Sequence, residues 1–344
     1  MMRITRIKST LIGAVIILLM SFIFCQVNTG FSEEGKKTKL YQSEILATFP
    51  PGTFLENLVW DKEGNLYITT NEKKTILKYS YGKNSVSEFA KVEGTAGGIA
   101  IDHDGTIYVG AGKVPMGAPG FLESHVIFKI NKQGEASLFM EIPKAPFPNG
   151  WAYVQPGIFL ICDSRGGAIW KLDVKKAALT EWLRDELLTS KDMDPGANGI
   201  KFYKDFAFVS NSSQKKILKI TMDQNGNAVK TEVYKNVALD DFCISENGNI
   251  YGTTHPENKI YLIKEKGEPQ VIAAGEEDGV RGNTACIFGE NIGDAESIYV
   301  IGDGGWYEAL IAGLTSGRKT LDQSKLKPAA LTRIYVGEKG YFRK

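Results

Sequence analysis

Six short segments of the chain begin in the same way, and five of them begin with a residue that carries a side-chain oxygen. They are ENLVW from Glu56, GGIAI from Gly97, NGWAY from Asn149, NGIKF from Asn198, DDFCI from Asp240 and NTACI from Asn283. Two carboxylates facing a narrow space would repel each other unless a proton or a cation lay between them, and oxygen donors suit hard divalent cations. Asn, Asp and Gly are also the residues that tight turns select. The pattern alone is therefore compatible with two interpretations, a cation site and a set of turn residues. Glu56 fits the second one poorly, because Glu has no special role in turns.

Each opening segment belongs to a repeat of roughly 40 to 50 residues, which is the period of propeller blades. A turn rich in Gly, Asp and Asn follows, and then a second apolar strand such as NLYITT or TIYVGA. A third strand carries a basic residue among aliphatic ones, as in TILKYS, and a weaker fourth strand follows, as in VSEFA. This alternation predicts antiparallel hairpins. The sequence therefore predicts an all-β fold, a six-bladed β-propeller with four-stranded antiparallel blades.

We expect residues 40–344 to form this propeller as a single domain. The last repeat ends near Val336 without a fourth strand of its own, whereas LYQSEILATF precedes the first repeat. This N-terminal strand can close the ring, because closure removes the exposed edges of an open sheet. A pair of β-sandwich sheets is the rival architecture, but it would not require six matching openings.

The first 31 residues have the features of an export signal or signal anchor. Three basic residues precede an uncharged apolar run from Leu11 to Phe24, which is short for a membrane span. Residues 32–39 are polar and are predicted to be a tether. We therefore expect an exported protein, either secreted, periplasmic or held at the outer face of a membrane by an uncleaved segment.

Charge and cysteine content exclude some classes of function. The 41 basic and 40 acidic residues give a net charge of +1, and no basic stripe with aromatic residues suggests a nucleic-acid partner. Cys162, Cys243 and Cys286 each lie in an apolar run, which predicts three buried thiols. The motifs of serine hydrolases, P-loop proteins, dinucleotide-binding folds and zincins are absent from the sequence.

The longest insertions are predicted to share one end of the ring with the opening residues. In an antiparallel blade, the start of the first strand, the end of the second and the start of the third lie at the same end. Insertions at residues 112–123, 184–197 and 306–328 fall there. Because loops on one face of a rigid scaffold commonly carry binding sites, we predict that this end is the ligand face.

From Gly52 to Glu338 the chain resembles the SMP-30, gluconolactonase and regucalcin family of six-bladed propellers. The segments that carry the resemblance are PGTFLENLVWDKEGNLYIT, FPNGWAY, DPGANGIKF with FVSNSSQKKILKI, and LDDFCISENGNIYGTTH. In that family a glutamate opening blade one, asparagines opening blades three and four, and an aspartate opening blade five hold one divalent ion. The resemblance implies that Glu56, Asn149, Asn198 and Asp240 are the metal ligands.

The resemblance also implies a metal-dependent hydrolase of a lactone or similar ester. Two carboxylates and two amide oxygens favour Ca²⁺ over the alternatives Mg²⁺ and Zn²⁺, since Zn²⁺ usually recruits His or Cys. The cation would polarise the lactone carbonyl, and Asp240 would serve as both ligand and general base. The further candidates for contact with substrate or support of the ligands are Asn57, Trp151, Asp163, Asn211, Asp241, His255, Asn283 and Asp303.

Two residues beside the implied ligands depart from the family pattern. Asn57 and Asp241 stand where a glycine usually follows the glutamate of blade one and the aspartate of blade five. Two alternatives therefore stay open: a non-catalytic exported ligand-binding propeller with a structural Ca²⁺, and a strictosidine-synthase-like propeller. If both side chains fill the open position of the ion, the binding protein is favoured; if they turn into the ring, the hydrolase is favoured.

Overall fold

In a computed structural model, which describes residues 39–116, 118–317 and 320–343, the strands form six separate four-stranded antiparallel sheets. The predicted export segment and almost all of the predicted tether lie outside the described residues. Each sheet corresponds to one sequence repeat and is one blade. The prediction of a six-bladed propeller with four-stranded antiparallel blades is thus confirmed.

Five blades consist of four consecutive strands. Blade one contains β2 (Leu55–Trp60), β3 (Asn65–Thr70), β4 (Thr75–Ser80) and β5 (Ser85–Lys91). Blade two contains β6 (Thr95–Ile101), β7 (Ile107–Gly112), β8 (His125–Ile130) and β9 (Ala136–Glu141). Blade three contains β10 (Pro148–Gln155), β11 (Ile158–Asp163), β12 (Ala168–Asp173) and β13 (Ala178–Arg184). Blade four contains β14 (Ala197–Tyr203), β15 (Phe206–Asn211), β16 (Lys216–Met222) and β17 (Ala228–Lys235). Blade five contains β18 (Phe242–Ile244), β19 (Ile250–Thr253), β20 (Lys259–Ile263) and β21 (Gln270–Ala274).

Blade six combines strands from both ends of the described chain. It contains β22 (Asn283–Phe288), β23 (Ser297–Gly302), β24 (Ala329–Tyr335) and β1 (Ser43–Phe49). Strand β1 runs antiparallel to β24, with Phe49 opposite Ala329 and Ser43 opposite Ile334. Around the channel each innermost strand contacts the next, and β22 contacts β2. The six blades therefore form a closed ring.

Few helical segments interrupt the blades. Helix α1 (Trp306–Thr315) lies in the insertion between β23 and β24. Short 3₁₀ turns are found at Tyr81–Lys83, Glu186–Leu188, Glu276–Asp278 and Gln323–Lys325. Over the described ranges, no helix has the length and apolar character needed to cross a membrane.

The hydrophobic core lies between neighbouring blades. Trp60 of blade one packs edge-on against Tyr299 of blade six, with ring centroids 4.9 Å apart, and its indole nitrogen donates a hydrogen bond to the Phe288 carbonyl oxygen at 2.9 Å. Burial of a Phe-sized side chain stabilises the folded state by about 1.5–3 kcal/mol. Contacts of this kind fix each blade against the next, so the ring is a rigid support for the residues at its mouth.

The predicted buried thiols are confirmed. Cys162, Cys243 and Cys286 are all buried and none forms a disulfide. Cys243 and Cys286 lie in adjacent innermost strands, with their sulfur atoms 3.7 Å apart.

Candidate active site

The opening residues occupy equivalent positions in their blades. In each first strand, the residue two places after the opening residue pairs with the second strand, as Leu58 pairs with Ile68 and Ala285 with Ile301. A β-bulge precedes this pair in blades one, two, three, four and six. Bulges re-aim side chains at the ends of strands. The sequence repeat therefore places all six opening residues at one end of the channel, which is the end that carries the insertions.

Glu56 and Asp240 form an acidic pair at this end. Burial, followed by the negative charge of Asp240, raises the pKa of Glu56 to about 8. Burial also raises the pKa of Asp240 to about 7, although the positive charge of His255 acts in the opposite direction. Because the two carboxyls influence each other, they titrate as a pair. The structure thus brings together two carboxylates that lie far apart in the sequence.

The Asn198 amide joins this pair. Its Nδ2 atom donates a hydrogen bond to Asp240 Oδ1 at 2.5 Å and lies 3.1 Å from Ser212 Oγ. With its nitrogen engaged in this way, the amide oxygen of Asn198 remains to accept another partner. Asn149, at the equivalent position of blade three, is buried as well.

His255 lies between two carboxylates. Its Nδ1 atom is 3.4 Å from Asp240 Oδ2, and its Nε2 atom is 3.0 Å from Asp303 Oδ2. Asp303 also accepts hydrogen bonds from the backbone nitrogens of Gly305 at 2.6 Å and Tyr307 at 2.7 Å. Burial lowers the pKa of His255, but the charges of Asp303 and Asp240 outweigh burial and raise it to about 9. In the metal-free protein these carboxylates therefore favour the protonated form of His255, and Asp303 orients its ring.

Two of the other predicted residues stabilise loops. Asp163 accepts hydrogen bonds from the backbone nitrogens of Phe147, Arg165 and Gly166 and from the Trp170 indole. Asn211 donates to the carbonyl oxygens of Leu187 and Thr189 and accepts from the backbone nitrogen of Gln214. These bonds account for both side chains without a ligand, so Asp163 and Asn211 support the ring face mechanically.

Asp241 turns into the wall of the ring. Lys201 Nζ lies 2.7 Å and 2.9 Å from its two carboxylate oxygens. The carboxylate packs so closely on Gly199 that a Cβ atom there would lie 2.1 Å from Asp241 Oδ1, which explains the glycine that follows Asn198. Asn57 is buried, and together with Trp151 it lines a cavity of about 460 Å³ that continues along the channel to Asp61 and Arg343. Asp241 thus turns into the ring, as the hydrolase requires, whereas Asn57 lines the channel, so only one of the two departing residues meets the condition that favours the hydrolase.

A contact between two insertions was not expected from the sequence. The Tyr307 hydroxyl, on α1, donates a hydrogen bond to Asp194 Oδ1 at 2.8 Å, and the Tyr307 ring lies 4.9 Å from the His255 ring. The Asp194 loop is held in turn by Arg165, which donates to Ser190 Oγ and to the carbonyl oxygens of Asp192 and Met193. The two insertions therefore meet beside His255 and bound one side of the site.

The donor chemistry fits a hard divalent cation. Glu56 and Asp240 influence each other electrostatically and the Asn198 amide bonds to Asp240, so two carboxylates and an amide, the donor types that Ca²⁺ prefers, are found together. A further buried amide, that of Asn283, has no hydrogen-bond partner in the described part of the chain. Within residues 39–116, 118–317 and 320–343, no cluster of three or more His, Cys, Asp or Glu side chains has the arrangement of a metal site. The candidate ligands are two carboxylates and several amides. Asn is not one of the four residue types that define such a cluster.

The fold and the site define a six-bladed propeller with an acidic, amide-rich mouth, and comparisons of structure place it among known propellers. Regucalcin, a calcium-binding protein from Agrobacterium tumefaciens, matches with a TM-score of 0.63 at 14% identity, over 88% of this chain and 96% of that chain. A gluconolactonase from Xanthomonas campestris matches with a TM-score of 0.59 at 13% identity, over 85% and 89% of the two chains. Virginiamycin B lyase from Staphylococcus aureus matches with a TM-score of 0.53 at 14% identity, over 82% and 80%.

The regucalcin and the gluconolactonases among the structural neighbours, together with a luciferin-regenerating enzyme, are propellers of the SMP-30, gluconolactonase and regucalcin type, and they match at low identity with nearly full coverage. The scan against protein-family models found no match, and the search of curated proteins found no related sequence. At this level of identity the likeness establishes the fold, and the chemistry of this chain must be argued from its own residues.

Proposed function

We propose that this protein is a divalent-cation-dependent hydrolase of lactones or similar carboxylic esters. The observation that carries the proposal is the convergence of Glu56 and Asp240, joined by Asn198, at the end of the ring that bears the insertions. The likeness to gluconolactonases supports the same class of reaction. Glu56, Asn149, Asn198 and Asp240 would hold the cation, and the charge of two carboxylates with oxygen donors favours Ca²⁺.

When bound, the cation supplies Lewis-acid polarisation of the ester carbonyl. Asp240 would take a proton from the attacking water, while the water oxygen forms a bond to the carbonyl carbon. The bond between that carbon and the ring oxygen then breaks, and the proton passes to the leaving alkoxide, so a lactone yields a hydroxy acid. His255 orients Asp240 and stabilises its charge, and Asp303 keeps the imidazole in place.

A lyase is the second candidate, and the presence of a buried histidine, His255, beside Asp240 is the observation that favours it. A variant of the structurally similar virginiamycin B lyase in which one histidine is replaced by alanine is catalytically inactive. In the metal-free form of the present chain, however, the flanking carboxylates raise the pKa of His255 to about 9, so that the imidazole of this form is a poor base at neutral pH. Asp240 is the stronger candidate for the base, and this favours hydrolysis.

The proposal is tested with metal-stripped protein and a panel of aldonolactones, alkyl-substituted lactones and aryl esters, assayed in ¹⁸O-labelled water with Ca²⁺, Mg²⁺ or Zn²⁺. We expect cation-dependent turnover that places one ¹⁸O atom in the acid product. Asp240→Ala should lower kcat by about 100-fold or more. Asp205→Ala, at an exposed turn, is the matched control and should retain activity.

Absence of turnover with every substrate and cation would contradict the hydrolase and leave the ligand-binding propeller. An unsaturated product without ¹⁸O would instead identify a lyase. The apolar N-terminal segment supports the accompanying proposal that the protein acts outside the cytoplasm.

A further inference from the structure

Asn283, which opens blade six, has a buried side chain with no local role. Its exposed fraction is 0%, and neither Oδ1 nor Nδ2 has a hydrogen-bond partner among the described residues. Most buried side-chain amides in folded proteins have at least one partner, and an unpaired buried polar group opposes folding. The side chain therefore requires a partner that the described chain does not supply.

A role in a turn does not account for Asn283. The turn residues on this face, such as Asp163 and Asp303, each accept several backbone N–H hydrogen bonds. The Asn283 amide makes none, although it lies at the start of β22 beside the turn at Gly282. Hydrogen bonding to the backbone of a turn therefore does not explain why this residue is Asn.

The position of Asn283 in the ring relates it to the two carboxylates of the site. Asn283 precedes the Ala285–Ile301 pair by two residues, as Glu56 precedes the Leu58–Ile68 pair. Its strand β22 contacts both β18 of blade five and β2 of blade one. Asn283 therefore lies between the blades that present Asp240 and Glu56, the two carboxylates of the site.

We propose that Asn283 contributes its amide oxygen as a fifth oxygen ligand of the cation, an inference that rests on the proposed function. An amide beside two carboxylates can direct its oxygen to a cation and its N–H groups to a carboxylate. Both Oδ1 and Nδ2 of Asn283 would then have a partner. Ca²⁺ takes six to eight oxygen ligands, so a fifth protein donor fits its coordination number. Gly97, which opens blade two, is then the one opening residue that has no side-chain oxygen to bind the cation.

The test is Ca²⁺ binding to metal-stripped protein, measured by calorimetry, so that it does not depend on activity. We expect Asn283→Ala to weaken Ca²⁺ binding by about tenfold or more, because one oxygen ligand is lost. Asn249→Ala makes the same chemical change at the opposite end of blade five, where the amide bonds to Glu338, and should bind Ca²⁺ like the wild type. If wild type binds Ca²⁺ and Asn283→Ala binds within twofold of it, the inference is overturned while the proposed function stands. If wild type binds none of Ca²⁺, Mg²⁺ and Zn²⁺, the proposed function itself has failed.

A second variant covers the case in which Asn283→Ala does not fold. Asn283→Asp keeps the size of the side chain and adds a third carboxylate beside Glu56 and Asp240. It should melt at a lower temperature than wild type without metal, and its melting temperature should rise more on addition of Ca²⁺. A Ca²⁺-induced rise equal to or smaller than that of wild type would count against the inference.

Discussion

At the scale of single residues, the site is defined by charges that the ring forces together. Glu56, Asp240 and His255 all have a raised pKa, so the metal-free folded protein retains protons that the unfolded chain releases. The free energy of unfolding falls with rising pH wherever the folded state holds more protons. A cation bound by Glu56 and Asp240 would replace the protons of these two carboxyls. It would thereby offset the loss of stability at higher pH, which links metal binding to the free energy of unfolding.

We therefore predict that the metal-free protein becomes less stable as the pH rises from about 4.5, the ordinary pKa of a Glu carboxyl, to about 8, the raised pKa of Glu56. Ca²⁺ should raise the melting temperature more at pH 8 than at pH 6. Thermal unfolding in chelator and in excess Ca²⁺, over a series of pH values, measures both effects. Glu56→Gln should flatten the metal-free profile, and a metal-free melting temperature that increases between pH 6 and pH 8 would refute the prediction.

A second residue-scale prediction concerns the Lys201–Asp241 pair. Lys201→Met leaves the Asp241 carboxylate buried without its cation, which should lower the free energy of unfolding by about 3–5 kcal/mol. The double variant Lys201→Met with Asp241→Leu removes both charges and should recover most of this loss. Urea unfolding measures both. A single variant as stable as wild type would show that Lys201 does not compensate Asp241.

At the scale of elements, the insertions bound the site through one hydrogen bond. Tyr307 on α1 reaches the Asp194 loop, which belongs to the connection between blades three and four. The sequence indicated which insertions share a face, because strand direction fixes that. It did not indicate that α1 and this loop meet, because the contact joins residues that are more than a hundred positions apart and neither lies in a repeated motif.

We predict that Tyr307→Phe loosens this contact without unfolding the ring. Amide hydrogen exchange should become faster in residues 189–195 and at the start of α1, while the blade strands should exchange as in wild type. Tyr335→Phe, which removes a hydroxyl bonded to Glu296, is the matched control. Unchanged exchange in both segments of Tyr307→Phe would mean that other contacts hold the insertions together.

At the scale of the whole molecule, the fold could be predicted because six repeats carry the same strand and turn pattern. The opening residues could be predicted for the same reason, since equivalent repeats place them at equivalent positions. The pairing of His255 with Asp303 could not, because it joins two different blades and the repeat pattern does not specify which side chains meet between blades. The unpaired state of the Asn283 amide likewise depends on packing that no local pattern encodes.

The ring also predicts how truncation should act. A chain that begins at residue 39 retains β1, whereas one that begins at residue 50 loses the buried side chains Leu46 and Phe49 and exposes the edge of β24. The shorter chain should melt at a lower temperature and associate through that edge. Size-exclusion chromatography and thermal unfolding compare the two, and equal behaviour would show that blade six does not need its fourth strand.

Calcium titration of the metal-stripped protein tests most directly whether side chains from separate blades converge on one ion. We predict one Ca²⁺ per chain in the wild type, and binding at least a hundredfold weaker in the double variant Glu56→Gln with Asp240→Asn, which keeps the size of both side chains but removes their charge. Undiminished binding in the double variant, or no binding in the wild type, would contradict this prediction.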